Sequence, residues 1–229
     1  YPSAIENDYA KKLMGMTRIL ERVTNRFLLP GITRIILARD AITPSAKADA
    51  FEDYPERLAQ LFEAMRASFF ATVTTEKILA IVTDAGKWIV GANTREFRRV
   101  MQSVVSVNPL GKEPYLVAEL QAFIKKNVAL IKSIPESYFS NLETLVFEKV
   151  SQGMRHEELA KIILEKTGAP EKSARLIARD QTAKFNGSLT KLRQEGLGVT
   201  RYRWRTSKDQ RVRPEHRARE GKIFSWDSP

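Results

Sequence analysis

The chain has 229 residues, 43% of them hydrophobic, which is enough for one large core or two modest ones and argues against wholesale disorder. Cysteine is absent, which excludes disulfides, thiolate metal sites and cysteine catalysis within these residues and fits a reducing compartment. The net charge of +11 is unevenly spread: residues 175–229 hold 14 basic against six acidic side chains, a net of +8, and the first 174 residues carry only +3. That skew points to a polyanionic partner for the C-terminal quarter, with nucleic acid weighed against a merely solvated basic face. No apolar run reaches the roughly 18–20 residues of a membrane span, and the N-terminus lacks a secretory pattern. Because the sequence starts at Tyr1 rather than Met, a fragment or a processed product is expected.

In chain order, Ser3 is placed to cap a helix toward Arg26 with Ile5, Tyr9, Leu13, Met16, Leu20 and Val23 on one stripe. Pro30-Gly31 is expected to break it, leaving a short apolar stretch from Ile32 to Ala41 that ends near Thr43-Pro44. Ser45 opens a second long pattern with Phe51, Leu58, Phe62, Met65 and Phe69 on one side, kinked or restarted at Pro55. A third helix starts at Thr74 or Thr75 and carries Ile78, Ile81, Val82 and Trp88 toward Val105. The turn residues from Asn108 to Pro114 mark the main boundary, between a helical region 1–108 and a second domain 115–229.

Beyond it, Leu116, Leu120, Phe123, Ile124 and Ile131 are spaced for one buried face, and Pro135 is expected in the first turn of a new helix that Gly153 stops. A short helix follows from His156, with Leu159, Ile162 and Ile163 inward. The helix 171–195 has an apolar stripe of Ala174, Ile177, Ala178, Phe185, Leu189 and Leu192 that also contains Gln181, while Arg175, Arg179, Thr182, Asn186 and Arg193 line the neighbouring one. A buried amide without a partner costs on the order of 1–3 kcal/mol. Gln181 and Asn186 therefore either build a polar site with Arg179 or, the simpler reading, bond the backbone of the following loop.

After Gly198 the period changes to two. Residues 199–206 alternate apolar and basic, a half-buried strand with Arg201, Arg203 and Arg205 on its wet face, and 222–226 supply a second strand. The class expected is α+β, predominantly α-helical: long helices followed by a small C-terminal β-hairpin or sheet with a basic loop. In that loop His216 lies near Asp209, Glu215 and Glu220, a composition that suits acid–base work or a metal. Arginines crowding the same stretch oppose a divalent cation, and no activated nucleophile, Walker loop, dinucleotide fingerprint or zincin helix accompanies it. No catalytic, metal or cofactor residue is therefore assigned. The candidates for nucleic-acid or partner contact are Arg201, Arg203, Arg205, Lys208, Arg211, Arg213, Arg217 and Arg219. Tyr202, Trp204, Phe224 and Trp226 either stack on bases or form a small core under the basic surface, and their alternation with arginine favours the core.

Taken as an ordered set, these pieces resemble the phage head morphogenesis family, the domain shared by the phage Mu F protein and minor head proteins of other tailed phages. The set comprises the helix from Ala178 to Gly187, with Arg179, Gln181 and Asn186; the strand from Tyr202 to Thr206, with Trp204; the loop from Asp209 to His216; and Gly221-Lys222-Ile223-Phe224. Weaker similarity reaches back to about Glu119. Where some relatives carry a Cys-x-x-Cys pair, this chain has Arg213 and His216, so no zinc site is carried over. Family members continue past the equivalent of Pro229, so further chain is expected there. The resemblance implies a non-enzymatic minor head protein without cofactor, located in the virion head near the portal and in the host cytoplasm during assembly. Its implied partners are the portal protein, other capsid proteins and double-stranded DNA, with no membrane. The competing expectation is a nuclease or transferase-like enzyme built on Arg179, Gln181, Asn186, Asp209 and His216.

Overall fold

Apolar positions recurring every three or four residues carry most of the chain into helices. The computed structural model describes residues 2–41, 47–105, 113–206, 208, 210 and 212–227. Its elements are α1 (Ser3–Val23), a π-helical turn (Thr24–Leu28), α2 (Leu29–Asp40), α3 (Lys47–Thr72), α4 (Thr75–Val105), α5 (Tyr115–Ser151), α6 (His156–Lys166) and α7 (Ala169–Gly196), followed by β1 (Arg201–Arg203), the short α8 (Pro214–Ala218) and β2 (Ile223–Ser225). The protein is thus a predominantly helical α+β fold with one small C-terminal antiparallel sheet. The expected cap at Ser45, the turn at Thr43-Pro44, the side chain of Phe51 and residues 108–112 of the expected boundary lie outside the described residues.

The stripe on α1 is buried as its spacing requires: Tyr9, Leu13, Leu20 and Val23 face inward together with Met14 and Thr17. Ser3 does not cap this helix but is its first residue, after Pro2, with no side-chain cap. Nor does Pro30-Gly31 break the helix. The π turn Thr24–Leu28 widens the spiral, Leu29 N–H bonds the carbonyl of Thr24, and Pro30 enters α2 at its start, where a missing N–H is tolerated. Gly31 serves a different purpose from a breaker: a Cβ there would lie 2.5 Å from a Leu61 side-chain carbon, so the glycine lets α3 approach α2 closely. α3 likewise runs through Pro55 without a restart.

The expected new helix at Pro135 is a further correction. α5 continues from Tyr115 to Ser151, with Pro135 buried in its interior. The lost hydrogen bond, a cost of about 3 kcal/mol, is outweighed because the residues around it are anchored: Ile131, Ile134, Tyr138, Phe139 and Leu142 are all buried. Gly153, at φ +77°, ends the run in the left-handed conformation that favours glycine.

α7 is the central element, packing most extensively on α1 and then on α5 and α4. Its inward residues are Ala174, Ala178, Gln181, Phe185 and Leu189. Phe185 stacks on Phe123 of α5 with ring centroids 4.5 Å apart. Polar groups buried on the way are paired across the bundle: Tyr9 donates to Asn127 at 3.0 Å, and the hydroxyls of Thr24 and Tyr138 lie 2.8 Å apart. One cluster of buried side chains therefore runs from Tyr9 to Leu189 and draws on both sides of residues 108–115. Among the described residues, no helix is long and apolar enough to cross a membrane.

Candidate nucleic-acid interface

The alternating sequence after Gly198 builds a two-stranded ladder in which Arg201 faces Ser225, Tyr202 faces Phe224 and Arg203 faces Ile223. Two further bonds extend it, Trp204 N–H to Lys222 O at 2.8 Å and Gly221 N–H to Trp204 O at 2.9 Å. Gly221 makes that return at φ +76°, where a side chain would be strained. Side chains along a strand alternate between faces. Arg201, Arg203 and Arg205 are accordingly exposed, while Tyr202, Trp204 and Thr206 are half-buried.

Under the arginines the aromatic residues pack on one another. Tyr202 stacks on Trp226 at 4.2 Å and on Phe224 at 6.0 Å, and Trp204 meets Phe224 edge-on at 6.0 Å. Such pairs contribute about 0.5–1.5 kcal/mol each beyond their burial. His216, presented by α8, lies with its ring 5.5 Å from Trp204, and the guanidinium of Arg219 covers Trp204 at 5.3 Å and Phe224 at 5.8 Å. These half-buried rings form one small aromatic cluster. The indole N–H of Trp226 is buried without a partner among the described residues. The carbonyl of Trp226 accepts from Lys191 of α7 at 3.1 Å, which ties the hairpin to the bundle.

The loop is held from inside by Glu220. Its carboxylate accepts from Thr206 N–H at 2.6 Å and Thr206 Oγ1 at 2.7 Å. These bonds, reinforced by Lys208 and Arg205 nearby, hold the Glu220 carboxyl below the usual carboxylate range. Glu220 therefore serves Thr206 rather than His216. Lys208, Arg213, Arg217 and Arg219 are exposed like Arg201, Arg203 and Arg205, with Arg219 lying over the aromatic side of the hairpin rather than beside the strand arginines. Arg211 and Asp209 lie outside the described residues. Among the described residues no group of three or more His, Asp or Glu is placed to hold a metal ion.

Among the described residues, Gln181 and Asn186 of the helical motif take separate partners. Gln181 is buried and donates to the neighbouring Asp180 at 2.8 Å. Asn186, about 140° round the helix from Gln181, instead accepts from Asn93 of α4 at 3.0 Å. Among the described residues neither bonds the following loop, the simpler of the two expectations. Arg179 is exposed. Asn93 belongs to a network that was not legible in the sequence. Arg193, whose side chain has no exposed surface, pairs in a fork with Glu113, Nε to Oε1 at 2.7 Å and Nη2 to Oε2 at 3.0 Å. It also donates to Asn93 Oδ1 and, at 2.8 Å, to Thr94 Oγ1. The Arg193 bonds hold Glu113 below the ordinary carboxylate range, whereas burial and the bond to Glu113 push the Tyr115 hydroxyl up to about 12. The network locks the start of α5 and the middle of α4 to the end of α7, the helix that leads into the hairpin.

Against known proteins, residues 140–229 match the family model described as Phage Mu protein F like protein. The C-terminal region thus bears out the resemblance carried by its ordered motifs. The chain is also 35% identical over 120 residues to an uncharacterized protein of Haemophilus influenzae, a stretch covering 52% of this chain and 27% of that protein. No solved structure matches the chain significantly.

Proposed function

We propose that this chain, Mu F-like over residues 140–229, acts in phage head morphogenesis as a minor head protein at the portal vertex. Its partners in this reading are the portal protein and other capsid proteins, and its place is the virion head, after assembly in the host cytoplasm. The C-terminal hairpin contacts packaged or entering double-stranded DNA. The observation that carries the DNA contact is the exposure of Arg201 and Arg203 on one face of β1, and of Arg205 just beyond it, opposite a cluster of half-buried aromatic rings. Successive arginines on that face stand about 6.6 Å apart, and guanidinium groups so displayed engage phosphates as forks without reading sequence. Expected binding is therefore independent of sequence and steeply dependent on salt.

The same geometry supports a structural rather than catalytic role for His216, which packs on Trp204 at a distance from the carboxylate of Glu220, itself committed to Thr206. The assembly role is tested by sedimenting the protein with isolated portal rings and procapsids. Stoichiometric co-sedimentation with portal-containing particles, absent from portal-less shells, is the expected result. Equal recovery in both, or in neither, contradicts the portal placement.

A further inference from the structure

A second basic surface lies near the start of the chain. Between residues 11 and 39 the sequence has seven basic side chains and a single acidic one, Glu21, a concentration hidden by the near balance of the first 174 residues as a whole. Arg18, Arg22 and Arg26 recur every fourth residue along α1 and the π turn, so they share a face and rise about 6 Å from one to the next. All three are exposed, and no hydrogen bond or ion pair joins them to a described residue. Arg26 is only in contact with its neighbour, its guanidinium 5.4 Å from the Phe27 ring centroid. Like charges at this spacing cost a helix a few tenths of a kcal/mol per pair, and no carboxylate among the described residues relieves them.

Arg22 and Arg26 form one wall of a groove of about 370 Å³, faced by Ser68 and Thr72 of α3, with Ile19 and Phe27 in its lining. Lys77 brings another cation to that end by donating to the Thr72 carbonyl at 2.7 Å. A phosphate backbone would satisfy the arginines but leave the apolar lining uncovered. An aliphatic or aromatic side chain flanked by carboxylates meets both requirements. We propose that this groove binds an acidic, amphipathic helical segment of a partner protein. Its apolar side chains would rest on Ile19 and Phe27, and its Asp or Glu residues would be forked by Arg22 and Arg26. The inference does not depend on DNA binding by the hairpin.

The test is fluorescence anisotropy with a labelled synthetic helical peptide carrying Leu and Phe on one stripe and Glu beside it, and with its Glu-to-Lys counterpart. Both are titrated with the whole chain at low and high salt. Expected results are binding of the acidic peptide at least about tenfold tighter than its lysine counterpart and weaker at high salt. The Arg22→Glu/Arg26→Glu variant should lose about tenfold or more, the milder Arg22→Gln/Arg26→Gln variant should fall between, and Arg203→Gln/Arg205→Gln should bind as the parent does. Thr72→Trp, which fills the groove and leaves its charge intact, should also weaken binding. Circular dichroism checks that each variant is folded. Equal binding of both peptides, or undiminished binding in folded groove variants, overturns the proposal. So does a variant that loses affinity for duplex DNA while the parent ignores the peptide, because the arginine row is then a nucleic-acid contact.

Discussion

Arg193 and Glu113 show how much can depend on one pair. With Arg193 fully enclosed and Glu113 half-buried, removing the carboxylate leaves a buried guanidinium with only the neutral oxygens of Asn93 and Thr94. Breaking such a pair typically costs about 3–5 kcal/mol. Glu113→Gln is expected to destabilise the protein by about 3 kcal/mol at neutral pH, measured by denaturant unfolding. Because the folded protein holds Glu113 below its ordinary range, the stabilisation is complete above the unfolded-state pKa near 4 and disappears as pH falls through the lower folded value. The difference between parent and variant should therefore shrink on acidification; a gap that stays constant or widens in acid would contradict this account. Nothing near Arg193 in the sequence signals its burial. It reads as one more cation on a polar stripe, because the partner that makes burial tolerable is 80 positions away. Gln181 was legible as an inward amide, since it falls on an apolar stripe whose period is local.

At the scale of elements, the hydrophobic pattern located the helices, and proline suggested breaks that the helices do not make. Pro30 and Pro135 carry the same local signal as a break. In both cases tertiary packing holds the helix together, through a π turn before Pro30 and through buried residues on both sides of Pro135. Gly31 is the reverse case, a breaker by type that acts as a contact residue. Gly31→Val is expected to cost about 1–3 kcal/mol through overpacking against Leu61, read as a lowered denaturant midpoint with unchanged slope. The hairpin was legible because period two alternates so plainly with arginine, but the short helix α8 inside its loop was not, being a single turn set by Pro214 and the fold around it. The aromatic core carries the arginine face, so Trp204→Ala should weaken DNA binding although it removes no charge. Intact affinity in that variant, with the hairpin amides still protected from exchange, would show that the arginines do not need the core beneath them.

For the molecule as a whole, we propose that residues 115–229 are the family-specific part and that 1–108 complete its core as well as positioning it. α7 lies at the centre and rests on α1, the element most distant from it in sequence among the long helices. A chain beginning at residue 115 would expose the faces that meet Tyr9, Leu13 and Leu20. Such a fragment is expected to bind a hydrophobic dye and to lack a sharp thermal transition; cooperative melting comparable to that of the whole chain would show that it needs no support. Charge is also a property of the whole molecule. The skew toward residues 175–229 was evident from counting, whereas the N-terminal arginine row was masked by acidic residues elsewhere in the same region.

The central claim, that the strand arginines hold DNA by its phosphates, is tested most directly by measuring affinity for a random-sequence duplex over a range of salt concentrations. The parent chain should bind at low salt irrespective of sequence, with log K falling linearly against log salt. Arg201→Gln/Arg203→Gln/Arg205→Gln should flatten that slope by about 0.9 for each phosphate contact removed. No binding at low salt, or a slope unchanged in the triple variant, would contradict the account.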